Sequence, residues 1–258
     1  MIRTIFISAM LNFKSRIIYR WDFLAAIGVK GLETVVSYLL LNFLLAKVPL
    51  IAGYDRGHVI LMFGLTELAF ALWHCFFINS LSIGSYVREG QMDRFLLRPM
   101  NPVIQIILDG FDEDGWGGLA VAIATVALAA NLGAGPTSVS EWCCASLIAF
   151  CGALIFFSIS LTLSSLSLWS QTQGNLGLVV MDIRVFARFP STIYPGWLRA
   201  IVSSIVPLAA CGYWPALFIA DKQVECAVWI VLATASSLAL STIIFNELMR
   251  RLYESSGT

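Results

Sequence analysis

Long apolar runs separated by short polar stretches recur along the whole chain. The runs lie at about residues 23–46, 58–80, 115–133, 142–169 and 226–249. Each is close to the roughly 20 residues that cross a bilayer as an α-helix. A membrane β-barrel would instead show segments of about 10 residues with alternating polarity, and the sequence has none. The pattern predicts an all-α polytopic membrane protein with six transmembrane helices, the remaining one contributed by residues 174–219.

Residues 174–219 can be arranged in two ways. In the first arrangement, residues 197–219 form the fifth span and residues 174–196 stay in the cytoplasm. In the second, residues 174–189 form the fifth span, and residues 197–219 become an external re-entrant pair of half-helices.

The polar and helix-breaking residues of this region favour different arrangements. Pro207 and Pro215 interrupt the later segment, which is typical of a broken element. Asp182, Arg184 and Arg188 would be costly inside a span unless they face protein or water. The residues alone leave both arrangements open.

Residues 1–22 carry apolar side chains at helical spacing, with basic residues on other faces. The apolar positions are Ile5, Phe6, Met10, Phe13 and Ile17, and the basic ones are Lys14, Arg16 and Arg20. This pattern predicts a helix that lies in the membrane interface without crossing it.

The distribution of basic residues predicts the orientation. With the N-terminus inside, nine basic residues lie on the inner side, namely Arg3, Lys14, Arg16, Arg20, Arg88, Arg94, Arg98, Arg250 and Arg251. The outer loops hold three, namely Lys47, Arg56 and Lys222. Cytoplasmic loops are enriched in Lys and Arg, so both termini are expected in the cytoplasm.

Composition excludes several functional classes. The chain is 59% hydrophobic and 12% charged, whereas soluble domains average about 25% charged residues. A formal net charge of zero gives no basic surface for nucleic acid. The sequence lacks the glycine-rich G-x-x-x-x-G-K-[ST] loop that cradles ATP phosphates. With only two histidines, on no shared motif, we expect no metal site on this chain. Most enzyme signatures are absent as well, so we expect no catalytic residues and no cofactor on it.

Three charged residues interrupt the first two apolar runs. Lys30 and Glu33 are three apart on one helical face and can pair, which lowers their joint cost in the bilayer. Glu67 stands in mid-span without a partner in its own helix. It either lines a substrate path or neutralises a basic residue across a helix interface.

The fourth run carries many small hydroxyl residues: Ser158, Ser160, Thr162, Ser164, Ser165 and Ser167. Such residues let helices approach closely and hydrogen-bond, so packing is favoured over a polar conduit.

A stretch of charged residues follows the second span. In "SYVREGQMDRFLLRPMNP" the charges are Arg88, Glu89, Asp93, Arg94 and Arg98. The apolar letters "FLL" before Pro99 predict a short amphipathic helix parallel to the membrane. Its charged face would look into the cytoplasm, either as a solvated loop or as a docking surface for another protein.

Three motifs resemble those of type-2 ABC-transporter permeases. They are "REGQMDRFLLRPMNP", "FARFPSTIYPGWLRAIVSSIVPLAACGYWPALFI" and the terminal "RRLYESSGT". The first is most similar to the branch whose loop reads Gly-x-Leu-Asp-x-Phe-Leu-Leu-Arg-Pro, with Met92 in place of its leucine. Together with the six-span plan, the resemblance covers nearly the whole chain.

This resemblance implies a permease that works with two copies of a cytoplasmic ATP-binding subunit and with a second permease, identical or related. ATP and Mg²⁺ would be held by the partner ATPase, so this chain would not be an enzyme. Residues 84–102 would form the coupling segment seated on that ATPase, at the positions Arg88, Glu89, Gly90, Asp93, Arg94 and Arg98. Gly90 would permit the tight start of the coupling helix.

The resemblance further implies an exporter in the inner membrane of a prokaryote, in contact with membrane lipids. It favours residues 174–189 as the fifth span and residues 197–219 as the re-entrant pair. Two different classes also fit the residues: an ion- or proton-coupled carrier in which Lys30, Glu33 and Glu67 are the working charges, and a non-transporting membrane scaffold.

Overall fold

Helices form most of the chain in this computed structural model, which describes residues 20–48, 50–110, 112, 114–170 and 176–256. The predicted interfacial helix at residues 1–22 lies outside the described residues except for its last three. The helices are α1 Arg20–Lys47, α2 Arg56–Phe77, α3 Ile83–Arg88, α4 Asp93–Leu96, α5 Pro102–Leu108, α6 Gly115–Asn131, α7 Val139–Ser170, α8 Leu176–Ala187, α9 Gly196–Ala200, α10 Tyr213–Ala220 and α11 Val224–Ser256.

Four long helices confirm the prediction of an all-α polytopic membrane protein. Among the described residues α1, α2 with its continuation to Arg88, α7 and α11 are long and apolar enough to cross a bilayer. The third predicted span, α6, has 17 residues, and at 1.5 Å per residue it measures about 26 Å. The six-span plan stays a prediction for the two shorter helices, α6 and α8.

The fifth predicted span differs most from expectation. Helix α8 has 12 residues, so its length of about 18 Å falls short of the roughly 30 Å hydrocarbon core. The later segment is broken as its prolines predict: Gly196–Ile205 and Leu208–Ala220 meet at 66°. We call these two pieces the bent pair. Their geometry suits either a broken span or a re-entrant loop.

Local sequence signals explain where the helices begin and end. Asp55 is the N-cap of α2 and accepts from the backbone N–H of His58 at 3.0 Å. Before α7, Ser138 accepts from the N–H of Glu141, whose carboxylate accepts from the N–H of Thr137. Helix α6 ends just before Gly133, which takes a φ of +85° in the turn that leads to α7.

Helix α2 is the centre of the bundle. Buried residues make up 89% of the apolar stretch of α2 with its continuation, against 11% of that of α1 and 22% of that of α11. It packs mainly against α6 and α7. Because α1 and α11 expose long apolar faces, most of their surface must be covered by lipid or by another protein in the membrane.

Close backbone contact joins α6 to α1. A Cβ on Gly117 would stand 1.9 Å from the carbonyl oxygen of Ile27 and 2.8 Å from the backbone nitrogen of Gly31. Only glycine allows two helices to approach this closely, and small residues are the usual means of tight packing between membrane helices.

The bundle has two distinguishable ends. At the loop end, Tyr54 of the α1–α2 loop hydrogen-bonds Tyr213 of α10, and Lys222 pairs with Glu141 of α7. The opposite end, the segment end, carries helices α3–α5. The predicted coupling segment and the bent pair therefore lie at opposite ends of the molecule.

Candidate functional site

Five charged side chains from separate parts of the sequence meet inside the bundle. Lys30 donates to Glu33 at 2.8 Å within α1, and Arg184 of α8 also pairs with Glu33. Glu67 of α2 accepts from Arg184 at 3.4 Å and from Arg188 at 2.8 Å. We call these five residues the charge cluster. It joins α1, α2 and α8, and all its members were singled out from the sequence.

Aromatic faces cover the cations of the cluster. The guanidinium carbon of Arg184 lies 4.3 Å from the ring centre of Phe70, and that of Arg188 lies 5.1 Å from Phe63. The ammonium of Lys30 lies 5.8 Å from the same Phe70 ring. These distances allow cation–π attraction, which stabilises cations that have lost their water.

The two carboxylates of the cluster differ in their exposure to solvent. The Glu67 side chain is 2% exposed, whereas that of Glu33 is 43% exposed. Three cations and two carboxylates leave one uncompensated positive charge in the cluster. Glu67 thus pairs with two arginines across a helix interface, and Glu33 is the carboxylate within reach of outside groups.

A small polar cavity adjoins the cluster. Lys30, Thr34, Glu67, His74 and Arg184 contribute to its lining. It has room for about one water molecule, and the buried Nδ1 of His74 has no partner among the described atoms. The cavity is too small for a cargo, so in this conformation the cluster is a packed element and not an open path.

Asp182 stands apart from the cluster. It lies on the exposed surface of α8, two residues before the buried Arg184. Residues two apart on a helix point to different faces, which explains why the sequence places these charges together and the fold separates them.

The hydroxyl residues of α7 take part in packing. Ser158, Thr162 and Ser165 each donate to the carbonyl four residues earlier in their own helix. Ser160 hydrogen-bonds Ser80 and accepts from the indole N–H of Trp73. These contacts tie α7 to the centre of the bundle, as the packing interpretation expects.

At the segment end, residues 84–102, which we call the charged segment, fold as two short helices around a tight turn. Gly90 has a φ of +68°, and the N–H groups of Gln91 and Met92 both donate to the carbonyl of Tyr86. Gly90 thus ends α3, and α4 begins three residues later. Helix α4 is a single turn that ends before Pro99, as predicted, and is shorter than the amphipathic helix expected there.

Arg94 holds the charged segment together. It pairs with Asp109 at 2.6 Å, and its guanidinium lies 4.5 Å from the ring centre of Phe95. The Tyr86 hydroxyl donates to the same Asp109 carboxylate, and the Gln105 amide donates to the carbonyls of Phe95 and Met100. Arg94, predicted to face another protein, thus also pairs within the chain, and its side chain is still 45% exposed.

The outer surface of the charged segment combines charge with one apolar side chain. Arg88, Glu89, Asp93 and Arg98 are exposed. Leu97 is 86% exposed, the highest value among the large apolar residues of the described chain. Residue type does not predict this exposure, because "FLL" contains both the buried Phe95 and the exposed Leu97.

A second polar group, not anticipated from the sequence, closes the loop end. His58 of α2 contacts Asp55 through Nδ1 at 2.5 Å and Asp221 through Nε2 at 3.0 Å. It therefore fastens the end of α10 to the start of α2. The long sequence separation of His58 and Asp221 explains why neither residue stood out.

Within the part of the chain that the structure describes, no group of three or more His, Cys, Asp or Glu residues is placed to hold a metal ion.

Comparison with known proteins identifies the family. Residues 32–257 match the family model described as "ABC-2 family transporter protein". No curated protein and no solved structure matches the chain. The matched range includes the charged segment, the bent pair and every cluster residue except Lys30. Since the match covers most of the sequence, the chain belongs to the ABC-2 transporter family and is a membrane-spanning ABC-transporter permease.

Proposed function

We propose that this chain is the permease subunit of an ATP-driven exporter and that its charged segment docks on a separate ATP-binding subunit. The observation that carries the proposal is Leu97, an exposed apolar side chain beside Arg98. The rest of the segment is held to the fold by the Arg94–Asp109 pair and the hydrogen bonds of Gln105. Large apolar residues at binding surfaces supply much of the affinity when a partner buries them. Arg88 and Arg98 would then set orientation by complementary charge.

The rigidity of the charged segment suits the transmission of motion. Met92 and Phe95 are buried beneath it, and the Arg94–Asp109 pair fixes it to the end of α5. A push from the ATPase would therefore move the attached α2 as a rigid body and would not merely deform a loop. Alternating exposure of a path between two permease halves is the expected result.

We place the segment end in the cytoplasm and the loop end outside, in the inner membrane of a prokaryote. The nine-to-three excess of basic residues on the inner side supports this orientation. In it α6 and α8 cross as the third and fifth spans, and the bent pair is re-entrant from outside. The complex would contain two ATP-binding subunits, which hold ATP and Mg²⁺, and a second permease, identical or related.

The charge cluster would have a different function in an ATP-driven exporter from its function in a coupled carrier. A carrier needs a carboxylate that exchanges its ion with water, whereas Glu67 is 2% exposed and paired with two arginines. Glu33 is the accessible carboxylate, on the sparsely covered helix α1. We propose that Glu33 contributes to the surface that α1 presents to cargo or to the second permease.

Purification from the native host tests the proposal. The tagged chain in mild detergent should bring down a stoichiometric soluble subunit that carries an ATP-binding loop, and Arg98→Glu should weaken that association. Arg250→Glu is the matched control, because it reverses an arginine outside the charged segment. A chain that purifies without any ATP-binding subunit would contradict the proposal and favour the coupled carrier.

A further inference from the structure

An open cleft at the loop end is lined mainly by the bent pair. It contains no residue of the charge cluster or of the charged segment. Its volume is about 360 Å³, and its lining residues are Ser191, Gly196, Arg199, Ala200, Ser203, Tyr213 and Trp214. A volume of this size falls within the range of small-molecule sites, roughly 300–1,000 Å³.

The cleft holds one cation. Arg199 is exposed, and no carboxylate of the described residues forms an ion pair with it. Ser191 and Ser203 line the same space and carry hydroxyl groups that can donate hydrogen bonds. A guanidinium beside hydroxyl donors is the arrangement that binds phosphate or carboxylate oxygens.

The surroundings of the cleft are apolar and aromatic. Trp197 is 68% exposed, and Ile193 and Ile205 are exposed beside it along the chain. Trp214 is part of the lining itself. Tryptophan and tyrosine collect at the level of lipid headgroups, so aromatic surroundings of this kind suit a position of Arg199 near lipid phosphates.

From these observations we propose that the cleft binds the phosphate of an anionic amphiphile. The phosphate contacts Arg199 and the serine hydroxyls, and the apolar body lies along Trp197 and Ile205. The shared chemistry is a phosphate group, supplied either by a membrane phospholipid or by a free phosphate compound. The inference rests on the proposed function only in assigning the cleft to the outer face.

Three variants separate the cleft from the rest of the surface. Arg199→Gln removes the cation at an exposed position. Gly196→Leu fills the cleft, and a Cβ on Gly196 would meet no atom within 4 Å, so the fold should tolerate it. Arg56→Gln is the matched control, because it removes an exposed arginine at the same end but outside the cleft.

The purified chain, with any subunit that stays bound to it, is reconstituted into nanodiscs of phosphatidylcholine with and without phosphatidylglycerol, returned to detergent, and examined by native mass spectrometry. We expect the wild type and Arg56→Gln to retain one phospholipid per chain. For Arg199→Gln the affinity should fall by roughly 10- to 100-fold, the range expected for a lost hydrogen bond to a charged group. Gly196→Leu should retain none.

A second arm identifies the source of the phosphate. Inorganic phosphate or glycerol phosphate is added to the lipid-free protein. If these compounds bind and no phospholipid is retained, the cleft is assigned to free phosphate compounds. Equal lipid retention by Arg199→Gln and the wild type would overturn the proposal, and so would equal loss in Arg56→Gln. A cleft sealed by the second permease would also overturn it. The measurement needs neither ATP nor an ATPase, so it can fail or succeed independently of the proposed function.

Discussion

The Nε–H of Arg188 donates to Glu67 across 2.8 Å, although the two residues are 121 positions apart in the chain. The bond fixes the residue just after α8 to the centre of α2. It also explains how Arg184 of the short helix α8 and Arg188 just after it are accommodated inside an apolar bundle, since each arginine has a carboxylate partner.

Neutralising Glu67 should destabilise the fold. Glu67→Gln leaves Arg184 and Arg188 with less compensation, and breaking a buried pair costs about 3–5 kcal/mol. Thermal unfolding of the detergent-purified protein measures the loss. Glu247→Gln is the control, because Glu247 also accepts from an arginine, at 2.8 Å, but on an exposed surface. Equal stability of Glu67→Gln and the wild type would contradict the structural role of the pair.

Glu33→Gln should affect transport more than stability. Its side chain is 43% exposed, so water in a transport path or polar groups of the second permease can partly replace its interactions with Lys30 and Arg184. We expect a stable protein whose ATP-driven export is altered. The comparison is the ratio of export rate to amount of folded protein, measured in the same membranes. A loss of folded protein as large as that of Glu67→Gln would place Glu33 among the structural charges instead.

The contact between α6 and α1 should not tolerate a side chain at Gly117. Gly117→Ala places a Cβ against the backbone of Ile27, and such overpacking costs about 1–3 kcal/mol or more where the backbone must shift. Gly28→Ala is the matched control on α1, since a Cβ there meets nothing within 4 Å. Unfolding temperatures of the two variants should differ clearly. If they are equal, the helices are not in close contact at Gly117.

Asp55 should contribute stability that is lost in acid. Partial burial alone would raise the pKa of Asp55, but hydrogen bonds from the backbone and ring of His58 lower it below its usual value. A lowered carboxylate pKa stabilises the fold above the unfolded pKa of about 3.9, and this contribution disappears as the pH falls through the folded pKa.

Two substitutions separate the N-cap hydrogen bond of Asp55 from its negative charge. Asp55→Ala should cost about 0.5–2 kcal/mol at neutral pH because it removes the N-cap of α2. Asp55→Asn keeps a capping oxygen, so its difference from the wild type should be smaller and should shrink on acidification. Unfolding temperatures recorded across the acid range test this. A wild-type advantage over Asp55→Asn that grows in acid would contradict it.

Arg94 and Arg98 should behave differently despite their similar position. Arg94→Ala removes the pair with Asp109 and the contact with Phe95, so the charged segment should become more sensitive to limited proteolysis. Arg98→Ala removes an exposed charge and should leave the cleavage rate unchanged. Equal sensitivity of the two variants would mean that the Arg94–Asp109 pair does not hold the segment.

The sequence predicts local features of this fold well and distant contacts poorly. Apolar runs locate the four long helices, and the spacing of Lys30 and Glu33 predicts their pair, because both depend on neighbouring residues. The partners of Glu67 lie on α8, more than a hundred residues away, and no periodicity connects them. The pair of Arg94 with Asp109 and the exposure of Leu97 depend on how α5 packs beneath the segment, which residue type alone does not reveal.

ATP hydrolysis by the complex purified from the native host tests the central claim most directly. The proposal predicts hydrolysis by the wild type and by Leu97→Met, which keeps an apolar side chain. It predicts a fall of roughly tenfold or more for Leu97→Asp, as expected for an anchoring residue at an interface. Hydrolysis by Leu97→Asp at the wild-type rate, or a wild-type preparation without ATPase activity, would contradict the claim that this chain couples to an ATPase through its charged segment.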